Sequence, residues 1–237
     1  MKRRGLQAII AAILLAPLFA PPATALVNER ESTVWGHIFA GQTSVKTYNA
    51  TSNSGSHLQE KSKIEVTYNN FPAWAQTDIQ AAVDVWAANF ESKVPIYIEA
   101  TWGRSSSFSI LGSARPGSYF SNFAGAPDPS LWYPSALANA LAGKDLDGDN
   151  PEMIITVNSL ANWYRGGGSG PSKSEYDLQS VILHEMAHGL GFLSTDSYDE
   201  FFGYGSIDQP TVYDAYVQTG DGRRLSDLPS PSLELGE

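Results

Sequence analysis

Residues 63–102 read KIEVTYNNFPAWAQTDIQAAVDVWAANFESKVPIYIEATW. At the start, Ile64, Val66 and Tyr68 alternate with Glu65 and Thr67, the two-residue period of a strand that buries one face. Thr77 with Gln80 three residues later has the form of a capping box, and Ile79, Val83, Trp86 and Phe90 recur at helical spacing after it. Ile96, Ile98, Ala100 and Trp102 then alternate with Tyr97, Glu99 and Thr101, a second strand. Strand, helix, strand in that order sets two parallel strands side by side with the helix across one face. An α/β or α+β fold with a mixed sheet follows as the expectation, and the aromatic and apolar stripes are its core.

Upstream, residues 26–60 are rich in Ser, Thr, Asn and Gly and show no sustained period, so they read as a polar lead-in or propeptide. His37 and His57 are lone histidines in polar surroundings, the pattern of surface residues rather than ligands. Residues 1–25 have the order of a secretory signal peptide: Lys2, Arg3 and Arg4, an apolar stretch from Leu6 to Phe19, and a small-residue site at Ala23-Thr24-Ala25. Pro17, Pro21 and Pro22 break that stretch, which is short for a bilayer span. Export, extracellular or periplasmic, is expected, with no stable membrane span.

Downstream, Gly103, Gly112, Pro116, Gly117, Gly125, Pro127, Pro129 and Pro134 punctuate the chain, which predicts loops and short strands. A short helix is predicted around 135–141, an acidic turn at Asp145, Asp147 and Asp149, and a buried strand over Met153–Val157. The chain has 237 residues, enough for one sizeable core, and residues 61–237 are expected to form one domain. It has no cysteine, which excludes disulfides, thiolate metal ligands and a cysteine nucleophile. A formal net charge of -10 opposes nucleic-acid binding.

The chemistry sits in SEYDLQSVILHEMAHGLGFLS, residues 174–194. Ser174 and Asp177 can cap a helix whose inward stripe is Leu178, Val181, Ile182 and Met186, with its end near Gly189 or Gly191. Within it, His184-Glu185-Met186-Ala187-His188 places two imidazoles one turn apart on nearly the same face, so two nitrogens can reach one zinc ion. Glu185 lies beside them, placed to take a proton from a zinc-activated water. Asp145, Asp147 and Asp149 offer oxygen ligands at alternate positions that suit calcium, although the spacing departs from an EF-hand loop at Asn150 and Thr156.

The run from His184 through Gly191 to Ser194 resembles the metzincin metallopeptidases, whose HExxHxxGxxH motif uses the glycine to turn the chain back toward the metal. Gly191 matches that glycine, and Ser194 stands where the third histidine is expected, a variant similar to leishmanolysin. Ala138, Asn158, Asn162-Trp-Tyr164, Tyr176-Asp-Leu, Ser180-Val-Ile-Leu-His-Glu and Thr211-Val-Tyr-Asp214 extend the resemblance to a group of secreted bacterial metallopeptidase-like proteins over residues 60–237. The resemblance implies zinc on His184 and His188, Glu185 as general base, a peptide or protein substrate, and a cleft rim formed by the strand Met153–Asn158 that pairs with an extended peptide. It also implies a later histidine and a methionine turn. No histidine follows His188 and no methionine follows Met186. The expectation is a catalytic domain incomplete at its C-terminal side; its rival is a carboxylate ligand among Asp196, Asp199, Glu200, Asp208 and Asp214. An exported adhesion or binding module with a vestigial HExxH site is the alternative from another functional class.

Overall fold

The computed structural model describes residues 27–40, 60–167 and 170–236. The signal-peptide expectation at 1–25, and His57, lie outside them. β3 (Ile64–Asn69), α1 (Ala73–Asn89) and β4 (Ile96–Gly103) form the strand, helix, strand unit, with β3 and β4 parallel and Ile64 opposite Ile96. The helix begins a turn earlier than the Thr77–Gln80 pair predicts. Pro72 precedes it in extended geometry without a side-chain cap, and its carbonyl accepts from the Ala75 and Gln76 N–H groups at 3.0 and 3.2 Å. Thr77 sits mid-helix instead, its hydroxyl donating to the Ala73 carbonyl at 3.4 Å.

β8 (Met153–Asn158) lies beside β4 and parallel to it, with Ile98 opposite Met153 and Ala100 opposite Ile155. On its other side runs β5 (Ile110–Pro116), antiparallel, and beyond β5 lies β2 (Gly36–Phe39), giving the order β2-β5-β8-β4-β3. Three expectations change here. The Gly- and Pro-punctuated stretch contains a seven-residue strand inside the main sheet, because Gly112 and Ala114 fit where the helix layer presses closest. The polar lead-in supplies β2 and also β1 (Asn28–Glu31), each four residues long and so too short for a period to stand out. β8 cannot be the rim that receives a peptide, since both of its edges are already paired.

β1 pairs antiparallel with β6 (Ser118–Ser121), which pairs with β7 (Tyr133–Pro134) in a smaller sheet. Arg30 on β1 lies over the Tyr119 and Trp132 rings, 4.8 and 4.9 Å from their centroids. α2 (Ser135–Ala142) follows β7. α3 (Leu178–Leu190) lies against α1 on one face of the main sheet, and the Trp86 indole N–H donates to the Leu183 carbonyl at 3.2 Å. Ile79 and Val83 of α1, Val181, Ile182 and Met186 of α3, and Ile96, Ile98, Ile155 and Val157 of the strands are buried together. Glu65, Thr67, Tyr97 and Glu99 face the other way and are exposed or half-buried. The result is an α+β arrangement with a mixed sheet. Beyond α3 lies a hairpin of β9 (Ser197–Asp199) and β10 (Tyr204–Ser206). Among the described residues no helix is long and apolar enough to cross a membrane.

Candidate functional site

Asp177 begins α3 by accepting from the Ser180 N–H at 2.9 Å and the Ser180 hydroxyl at 2.5 Å. Ser174, the other predicted cap, pairs with the Ser172 hydroxyl at 3.2 Å. At the far end Gly191 takes φ 118°, and its N–H bonds back to the last turn. A side chain at that φ is strained, and a Cβ there would also stand 2.9 Å from Pro134 Cγ. The turn swings the Phe192 carbonyl to within 2.7 Å of His188 Nδ1.

That contact decides the tautomer of neutral His188. A carbonyl only accepts, so Nδ1 carries the proton and Nε2 keeps its lone pair. His184 Nε2 stands 2.9 Å from it, with the two rings at 84°. His184 is exposed at the surface and His188 half-buried. Partial burial and then the neighbouring His188 lower the His184 pKa from its ordinary value, which favours the neutral form a metal requires. Two imidazole nitrogens one helical turn apart thus meet at hydrogen-bond distance, and one of the rings has its other nitrogen held by a backbone carbonyl.

Glu185 faces the sheet. It is fully buried, its carboxyl tucked below β2 and β5 so closely that a Cβ on Gly112 would lie 3.1 Å from Oε1. Neither carboxyl oxygen makes a hydrogen bond of full geometry, and the Ile38 backbone amide acts on it only weakly. Burial pushes its pKa up to about 8, against a weaker downward pull from the Ile38 backbone amide on β2. At neutral pH the carboxyl is therefore largely protonated as long as it stays covered. Gly36, on the same strand, lies against the His188 ring, where a Cβ would come within 2.2 Å of Cδ2. Sequence reasoning placed His37 outside the site, and its side chain is exposed, but it did not find Gly36, Ile38 or Gly112. Nothing in a short polar segment marks a residue that touches the site only through its backbone.

The proposed carboxylate ligands do not gather around the histidine pair. Among the described residues the one group of three acidic or histidine side chains with ligand atoms mutually within 4.8 Å is Asp145, Asp147 and Glu152. Asp196, Asp199, Glu200 and Asp208 do not join His184 and His188, and neither does Asp214. Asp214 is fully buried and serves a turn instead: it accepts from the Thr211 N–H at 2.7 Å, the Thr211 hydroxyl at 2.8 Å and the Ser194 hydroxyl at 2.5 Å. Ser194, standing where the resemblance puts a histidine, is thus spent on tying the end of α3 to that turn.

The acidic turn is rearranged relative to expectation, with Glu152 in place of Asp149. Glu152 is fully buried, accepting from the Tyr97 N–H at 2.6 Å and the Asn139 amide at 3.0 Å. Burial raises the pKa of Glu152, and that of Asp147 to about 7. Asn139 bridges the two, donating also to Asp147 at 3.3 Å and accepting from the Leu146 N–H at 3.0 Å. This polar knot joins α2 to the start of β4 and β8 and leaves Asp147 Oδ2 buried with no hydrogen-bond partner.

No family model matches the chain, and neither the curated proteins nor the solved structures contain a match. The chemistry of the site therefore rests on its own residues.

Proposed function

We propose that this chain is an exported zinc-dependent metallopeptidase with a metzincin-like core, acting on peptide or protein substrates. The observation that carries the reading is the convergence of the two Nε2 atoms at 2.9 Å with His188 Nδ1 engaged by the Phe192 carbonyl. His184 and His188 would hold the ion, and the third protein ligand is not among the carboxylates described above. Zinc, when bound, supplies Lewis acidity, polarising a carbonyl and lowering the pKa of a water. Glu185, next to the first histidine, takes a proton from water and returns it to the departing amine. It can do so once water reaches it and the carboxylate form is restored. Phe192 holds the His188 ring in one tautomer and orientation throughout. The basic, apolar and small-residue order of residues 1–25 supports export. Calcium at the Asp145, Asp147 and Glu152 turn remains a subsidiary proposal, supported by the closeness of the three carboxylates.

Elemental analysis of the chain after incubation with Zn2+ and desalting tests the metal. Stoichiometric zinc that His184→Ala and His188→Ala abolish is the expected result, and zinc retained by both variants overturns the ligand assignment. Glu185→Gln should keep the zinc and lose hydrolysis of an unfolded protein by at least about 100-fold. Equal hydrolysis by this variant and its parent overturns the role given to Glu185.

A further inference from the structure

We propose that Gly36–Phe39 is a pseudo-substrate strap, a displaceable strand that fills the peptide-binding edge of β5 and holds the site closed. The proposal rests on the peptidase reading for what the edge binds, and on the fold alone for what occupies it.

β8 has no free edge, and next to it on the side that α3 packs against runs β5, whose outer edge would receive an extended peptide were β2 not paired there. That edge is filled by the chain itself. β2 lies antiparallel to β5 with Gly36 opposite Ala114, His37 opposite Ser113 and Ile38 opposite Gly112, and the Ala40 N–H adds a bond to the Ser109 carbonyl at 2.6 Å. The contact with the site is made by backbone. Gly36 abuts the His188 ring so closely that only hydrogen fits in place of a side chain, and Ile38 is buried over Glu185. Beneath the strap lies the fully buried Glu185 carboxyl, within reach of the strap's own Ile38 backbone amide.

The strap is lightly held. It is four residues long, buries only Gly36 and Ile38, and leaves His37 and Phe39 facing outward, with a register shift between Ile38 and Phe39. The preceding strand is held more firmly: β1 pairs with β6 over four residues, and its Arg30 is enclosed by Tyr119 and Trp132. β2 can therefore leave β5 while β1 keeps its place. A chain without cysteine cannot close a metal site with a thiolate, and strand addition needs no side-chain ligand at all.

The test uses the full chain in two forms. Gly36→Val drives a side chain into His188 and should lift the strap. A chain cut at a specific protease sequence inserted within 41–59 keeps every native residue of the strap and serves where valine at 36 disturbs folding. Hydrogen exchange in residues 110–116 should accelerate at least about tenfold in either form while residues 153–158 stay protected. Carbethoxylation of His188 should rise with it. With Zn2+ present, hydrolysis of unfolded casein should rise at least about tenfold, and a synthetic peptide of residues 34–40 added in trans should reverse both effects. Unchanged exchange in residues 110–116 in both forms overturns the strap. Faster exchange that the peptide reverses, without hydrolysis, sustains the strap and overturns the peptidase reading.

Discussion

A buried carboxyl met only by a weak contact with one backbone amide is a cost to the fold, and Glu185 is such a group. Its replacement by an apolar residue of similar volume removes the desolvation penalty. Glu185→Leu should raise unfolding stability by about 1–3 kcal/mol in urea titrations, although it abolishes hydrolysis. Asp214 predicts the opposite. Its carboxylate is shared by Thr211 and Ser194, so Asp214→Ala leaves buried donors unpaired and should cost about 2–4 kcal/mol while bound zinc is unchanged. Lost zinc in a variant that remains folded would instead make Asp214 a ligand. The pairing of His184 with His188 was legible in the sequence because helical spacing alone brings two residues onto one face four positions apart. Asp214 was left as one of five candidate ligands because a carboxylate in a loop carries no local sign of whether it faces a metal or caps a turn. Gly36 and Gly112 were illegible because their importance depends on which strand lies above Glu185, a tertiary fact.

At the scale of elements, caps separate what the sequence pattern shows from what it merely permits. Asp177→Ala removes the acceptor for the first turn of α3 and should lower stability by about 1 kcal/mol. Thr77→Ala, at the predicted cap of α1, should change stability by no more than about 0.5 kcal/mol, because Thr77 is exposed within the helix. Paired denaturation midpoints check both, and a large loss at Thr77 would restore the capping box. β3, β4, β8 and α3 were legible since each carries an alternating, continuous or helically spaced set of apolar residues turned toward the core. β5 was hidden by Gly112 and Pro116, which mark loops in most contexts but here sit where α3 presses on the sheet and where the strand ends. β2 was hidden by its length.

Across the whole molecule, stability should be graded from the strap inward. β8 lies between two strands with Met153, Ile155 and Val157 fully buried, whereas β2 is an edge strand with Ile38 as its one buried apolar side chain. Burying that side chain contributes about 1.5–3 kcal/mol, and ordering four residues costs about 1–2 kcal/mol each before hydrogen bonds are counted. Opening of β2 should therefore be local and cheap. In native-state hydrogen exchange under low denaturant, the amide of Ala40 should exchange with a free energy nearly independent of denaturant, as for a small opening. The amides that β8 donates to β4 and β5 should exchange with the full denaturant dependence of global unfolding. The two slopes separate two designs. Distinct slopes make the strand over Glu185 a closing device that moves on an otherwise rigid sheet. A common slope makes β2 part of the cooperative core, and the buried carboxyl beneath it would then be a permanently sealed site.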